Sequence, residues 1–167
     1  MISSAGSKFI FLTAFSLAPT AARADASCTE VFDAGVREVE TPHHIYYTKA
    51  SDKAASRSME SIFDGRAIYS NAEGTWQKSE TAHRVMLENA HEKREKLDAT
   101  CTRVGTESID GQSATHWHIK PDADSDAVES DLWIGEKGLP IHQRVVMPDR
   151  ATRDVRIDYT DVKAPPG

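Results

Sequence analysis

"SDLWIGEKGLPIHQRVV", residues 130–146, reads as two strands joined by a short polar turn. With the residues before it, the pattern is a strand over 127–134, "GEKG" at 135–138 and a strand over 139–147. Both runs alternate with period two, which is how a strand with one buried face is written. Setting Ile134 opposite Leu139 brings Leu132 to Ile141, Ser130 to Gln143 and Val128 to Val145 on one mostly apolar face. The other face then pairs Glu129 with Arg144 and Asp131 with His142, an acid with a base each time. A slip of one residue spoils both faces together. The hairpin therefore predicts an antiparallel sheet with one buried side.

The same period extends in both directions. Strands are predicted over 101–109, 113–120 and 153–163, with Asp110-Gly111 and "PDRAT" (148–152) as turns. Upstream, 43–49, 58–65, 66–71 and 75–80 read as strands. Two stretches change to helical spacing. In "SCTEVFDAGVREVETP" (27–42), Cys28, Val31, Phe32, Gly35, Val36 and Val39 form one stripe, Ser27 and Glu30 match a capping box, and Pro42 stops the run. "TAHRVMLENAHEKREKL" (81–97) is helical but polar, with Met86, Ala90 and Leu97 as a thin stripe, and is expected to lie wet across the sheet. The fold class is α+β: a long antiparallel meander with an N-terminal and a mid-chain helix.

The first 24 residues read as a secretory signal peptide. One positive charge, Lys8, precedes the apolar run "FIFLTAFSL", and Ala22-Arg23-Ala24 is a small-x-small cleavage pattern. Cleavage after Ala24 leaves one domain, 25–167, in a periplasmic or secreted location. The apolar run is too short to span a bilayer. The whole chain carries −6, and cleavage removes Lys8 and Arg23 but no acid. Such an acidic surface, without a basic stripe, argues against nucleic acid and anionic membrane surfaces. Two cysteines in an oxidising compartment predict one disulfide, Cys28–Cys101. The competing lipoprotein reading needs an aliphatic residue three before Cys28, where "DASC" has Asp25.

Chemistry-bearing residues are sparse. In "SATHWHIKP" (113–121), Trp117 faces the core side while His116 and His118 share the other. If Trp117 meets Leu132, then His118 meets Asp131, and a row His118–Asp131–His142–Asp158 runs across four strands. With His116 it is a candidate zinc or copper site of imidazoles and carboxylate. The alternative is a ladder of cross-strand pairs that pins register. His43 and His44 point to opposite faces at a strand start. His83 and His91 lie two turns apart on a solvated helix face. Glu60, Asp64, Glu107 and Asp110 sit near strand ends. There is no G-x-S-x-G, P-loop or C-x-x-C. No enzyme and no cofactor is expected.

The order helix, strands, helix, long meander is similar to that of the LolA-like proteins, the periplasmic lipoprotein carriers, and of the LppX-like mycobacterial lipoproteins. The likeness rests on "SDLWIGEKGLPIHQRVV", on "RIDYTDVKAP" (156–165) as a closing strand, and on "VREVETPHHIYYT" (36–48) followed by "SIFDGRAIYSNAEGTWQK" (61–78). It covers nearly all of 25–167, and its motifs mark fold, not catalysis. The resemblance implies an unclosed, strongly curved half-barrel with helices over its open side. It also implies an apolar cavity between sheet and helices that takes acyl chains. On that analogy Ile45, Tyr47, Trp117, Ile119, Leu132, Ile134, Ile141, Val145, Ile157 and Tyr159 form the lining, or the core if the interior is filled. The functional expectation is a non-enzymatic carrier for a lipid or other apolar molecule. The metal-binding accessory protein and the solid-core interaction module stand as alternatives.

Overall fold

The computed structural model describes residues 24–51, 54–71, 74–96, 99–121, 129–148 and 151–165. Its elements are α1 (Ala24–Glu40), β1 (His43–Ser51), β2 (Ala54–Phe63), β3 (Ile68–Asn71), β4 (Trp76–Ser79), α2 (Thr81–Lys96), β5 (Ala99–Ile109), β6 (Gln112–Pro121), β7 (Ser130–Gly135), β8 (Pro140–Val146) and β9 (Thr152–Asp158). The strands form one antiparallel sheet in the order β4-β3-β2-β1-β9-β8-β7-β6-β5. Pairing of β1 with β9 joins an N-terminal meander to a C-terminal one. Strands β4 and β5 remain at opposite edges, so the sheet is an unclosed half-barrel, and the α+β expectation holds. Among the described residues no helix is long and apolar enough to cross a membrane. The predicted signal lies outside the described residues except for Ala24, where α1 begins. The helix thus starts before the expected Ser27, and the Ser27–Glu30 box falls within its first turns. It ends where the Thr41 N–H and hydroxyl donate to the Arg37 carbonyl at 3.0 and 2.7 Å, just before Pro42.

The apolar stripe of α1 docks on the C-terminal half of the sheet. Cys28, Val31 and Ala34 pack with Cys101, Trp117, Leu132 and Ile134 in one buried cluster. The Cys28–Cys101 disulfide, with Cα atoms 5.1 Å apart, fastens the helix to β5. A second cluster, Ile45, Val155 and Ile157 with Tyr47 and Tyr159, holds the seam between β1 and β9.

Helix α2 corrects an expectation. It packs against α1 and not across the sheet, and buries none of its residues. Its stripe is too thin to drive docking on an apolar face. Polar contacts hold it instead: the Ser79 hydroxyl accepts from the Ala82 N–H at 3.2 Å, and Arg94 pairs with Asp33. His83 is not solvated as expected, since its Nε2 lies 2.9 Å from the Val39 carbonyl and its ring stacks on Phe63 at 4.0 Å.

The 130–146 hairpin forms, in a different register. Leu132 faces Gln143 and Asp131 faces Arg144, two residues away from the expected pairs, and Trp133 faces His142. Two single-residue offsets add up. The turn is a three-residue one closed by Gly135 N–H to Leu139 O (2.9 Å), with Gly138 at φ 70°. A bulge then leaves Ile141 unpaired, because Ile134 faces Pro140 while Trp133 faces His142. An even total restores the faces from His142 onward, while beside the turn Pro140 takes the place opposite Ile134 that was expected of Leu139.

Gly138 carries this turn twice over. Its φ is left-handed, and a Cβ there would meet the Arg37 guanidinium at the end of α1. Gly138→Ala is expected to cost about 1 kcal/mol, measured by urea unfolding, because of the positive φ. The Arg37 guanidinium can swing away. A neutral substitution would contradict the turn assignment.

Strand β9 stops at Asp158, not at 163 as expected. The Asp158 carboxylate turns the chain by accepting from the Thr160 N–H and hydroxyl at 2.8 and 2.7 Å, and Asp161 follows at φ 47°.

Candidate functional site: an apolar recess and an outer row

Of the residues assigned to the apolar lining, Ile45, Trp117, Leu132, Ile134 and Ile157 are buried, and Tyr47, Ile119, Ile141, Val145 and Tyr159 are half-buried. They do not line one space. Helix α1 seals Trp117, Ile119, Leu132 and Ile134 as core. Ile141, Ile157 and Tyr159, joined by Leu139, instead line a recess of about 600 Å³. It lies at the turn end of the sheet, where Thr41, Glu136, Lys137, Asp158, Thr160 and the β5–β6 turn complete its lining. Its size is that of a small-molecule pocket. Ile141 is the residue that the bulge leaves without a ladder partner.

Beside the recess is a set of titratable groups that the sequence reading passed over. Burial pushes the Glu38 carboxyl of α1 up to about 7. Tyr47 and Tyr159 sit close enough for the Glu38 charge to add to the effect of their own burial, which raises both phenols. The Tyr159 hydroxyl donates to the Pro140 carbonyl at 2.7 Å and ties the end of β9 to β8. His43, at the start of β1, faces inward. It is buried at 3% exposure, burial holds its pKa below the ordinary value, and its Nδ1 lies 2.7 Å from the Thr41 carbonyl. His44 points to the other face, as expected, with its Nε2 3.3 Å from Glu60.

The outer face carries an unexpected alignment. Successive cross-strand partners run Trp76, Asn71, Glu60, Tyr46, Arg156, His142, Trp133, His116, one residue from each of β4, β3, β2, β1, β9, β8, β7 and β6. Within it, Trp133 is stacked between His116 (centroids 4.4 Å apart) and His142 (4.7 Å). The His-Trp-His sandwich is thus built from three strands. In the sequence triplet 116–118, Trp117 leaves for the core. The Trp133 indole N–H donates to Glu107 at 3.0 Å, which helps explain how so large a ring is buried on the wet side.

The predicted row His118–Asp131–His142–Asp158 is half assembled. His118 does face Asp131, and the Nδ1 of His118 and the Nε2 of His116 each lie 3.1 Å from the same Asp131 oxygen. The two-residue offset takes His142 elsewhere, to Asp154 at 3.0 Å. Asp158 lies opposite His44. Among the described residues no group of three His, Cys, Asp or Glu side chains is arranged to hold a metal ion. His116 has a carboxylate at each nitrogen, Glu107 at 2.8 Å and Asp131 at 3.1 Å. Hydrogen bonds from Trp133 and His116 hold Glu107 below the usual carboxylate range. Burial alone would raise Asp131, but hydrogen bonds from His118 and His116 outweigh it and hold it low. The other strand-end carboxylates are dispersed: Glu60 meets His44, Asp64 caps its own turn, and Asp110 meets Arg156.

No protein-family model and no curated protein sequence matches the chain. Solved structures do. The lipoprotein LppX of Mycobacterium tuberculosis superposes with a TM-score of 0.54 at 12% identity, over 84% of this chain and 98% of that one. LprF from Mycobacterium bovis gives 0.47 at 9% identity, over 84% and 97%. A LolA superfamily protein from Nitrosomonas europaea gives 0.36 at 8% identity, over 87% and 96%. The chain has an LppX-like fold: an unclosed, curved antiparallel sheet with its N-terminal helix on the inner face.

Proposed function

We propose that the protein is a non-enzymatic, exported carrier or binding protein for a lipid or another apolar molecule. The observation that carries this reading is the recess of about 600 Å³ in which Leu139, Ile141, Ile157 and Tyr159 form an apolar part beside polar and charged groups that include Glu136, Lys137 and Asp158. Helix α1 closes the inner face over β5–β7, and the recess holds about 600 Å³, so the bound part is small, on the scale of one chain and not of several. Export fits the disulfide, which persists in oxidising compartments. On this reading the segment 1–24 is removed and 25–167 is the working domain.

The test uses a fluorescent fatty acid, titrated into the protein and displaced by unlabelled chains of increasing length. Binding is expected, and Leu139→Lys or Ile141→Arg is expected to weaken it by about tenfold or more, because a charge would be buried against the ligand without a partner. Absence of binding, or affinity untouched by both variants, contradicts the reading.

A further inference from the structure

We propose that the outer face of the half-barrel is a second binding site, a platform for an extended neutral oligosaccharide laid across the strands. The aligned row from Trp76 to His142 is what such a ligand needs. Partners in a sheet are ~4.8 Å apart, so Trp76 and Tyr46 stand ~14 Å from one another and His142 ~10 Å further on. Aromatic and planar polar groups thus recur along one line at intervals comparable to the width of a sugar ring. Two grooves follow this line, of about 420 and 1010 Å³. Both are lined by Tyr46, Asp158 and Thr160, so they form one trough. Trp76 stands in the first and His142 in the second.

Three features select the ligand class. Tyr46 is 41% exposed, with its ring stacked on His44 at 4.0 Å and its hydroxyl bonded to His44 Nδ1 at 2.9 Å. The ring is therefore fixed in place and available to the C–H face of a sugar. Charges of both signs line the trough: Arg156 pairs with Asp110 at 3.3 Å and Arg144 with Asp154 at 3.5 Å, Asp158 accepts from Thr160, and Asp161 and Lys163 stand together in the first groove. These pairs can share hydrogen bonds with neighbouring hydroxyls but present no concentration of one sign for an ion. Finally, His142 Nδ1 is buried and without a hydrogen-bond partner among the described residues. Such an atom is costly unless something supplies a hydroxyl. The Asp110–Arg156 pair also brings the β5–β6 turn to β9, which gives the trough a wall.

The test is calorimetric titration of the full chain with cellohexaose, chitohexaose, maltohexaose and dextran, with dextran sulfate as the charged comparison. At least one neutral glycan is expected to bind. Tyr46→Ala and Trp76→Ala should each weaken it by about tenfold, while Tyr46→Phe, which keeps the ring, should change it by less than about threefold. Unchanged unfolding temperatures in these surface variants separate lost binding from lost fold. The proposal is overturned if no neutral glycan binds, if binding survives both alanine variants, or if dextran sulfate binds more tightly than dextran. The trough adjoins the recess and shares Gln112, Ile141, Ile157, Asp158 and Thr160 with it, but Tyr46 and Trp76 line the trough alone, so their alanine variants should leave fatty-acid binding unchanged and the two sites are told apart.

Discussion

Removing the Cys28–Cys101 disulfide, as Cys28→Ala/Cys101→Ala, is expected to lower the unfolding free energy by about 4 kcal/mol. The bond closes a loop of 73 residues, and the chain-entropy relation for a loop of that length gives this figure. In unfolding temperature the loss is roughly 10–15 °C for a domain of this size. The native contacts point the same way. The two cysteines lie inside the cluster where α1 covers Trp117, Leu132 and Ile134, so a loosened helix exposes the main core. Urea unfolding of the oxidised protein and the double variant measures the difference. A loss under about 1 kcal/mol would mean that α1 holds its place by packing alone.

The second large effect is a pH-dependent one at Glu38. Its folded pKa, about 7, lies above the ordinary 4.5. A carboxyl raised in this way keeps its proton in the folded state while the unfolded chain releases it. Stability is therefore lost as pH rises from about 4.5 to about 7, and is level above that. The shift corresponds to ~3 kcal/mol at most. Glu38→Gln keeps the shape and removes the titration. The variant's advantage over the wild-type protein should be near zero at pH 4, grow through the window and level off above pH 7. His43 runs the other way: its lowered pKa makes stability fall as pH drops below about 6.5. Because His43 is present in both proteins, the difference between them isolates Glu38. A difference that does not change with pH would mean that Glu38 is solvated in the folded state.

Much of this fold is legible in residue order, and the hairpin at 130–146 shows how far that goes. Its alternation placed Leu132 and Ile134 inward and Asp131 and His142 outward, and all four lie so. Registry is another matter. The three-residue turn at Gly138 and the bulge at Ile141 each move the pairing by one, and neither leaves a mark in a period-two pattern. Hence His142 meets Trp133 in place of Asp131, and the expected His–Asp row breaks in the middle. Between β6 and β7 the expected pairs, Trp117 with Leu132 and His118 with Asp131, do form.

What lay beyond reach depends on long-range assembly. Glu38 shares α1 with a clear apolar stripe, but only the docking angle of that helix decides that its carboxyl is desolvated. Trp133 alternates with buried residues on an outward position, which reads as wet. Its burial comes from imidazoles on two neighbouring strands. The outer row joins Tyr46 to Arg156, residues of the first and last strands, and no local signal announces that those strands pair. The recess, likewise, brings together Ile141 from the bulge in β8 and Ile157 and Tyr159 from the end of β9, and the alternation gives no sign of that bulge.

Native mass spectrometry of the protein purified from the periplasm tests the central claim, an exported carrier with one small apolar site, most directly. The expected mass is that of 25–167 less two hydrogens, accompanied by a species with one added molecule that extracts into organic solvent. A bare polypeptide mass throughout, with no bound species after exposure to fatty acid, would contradict it.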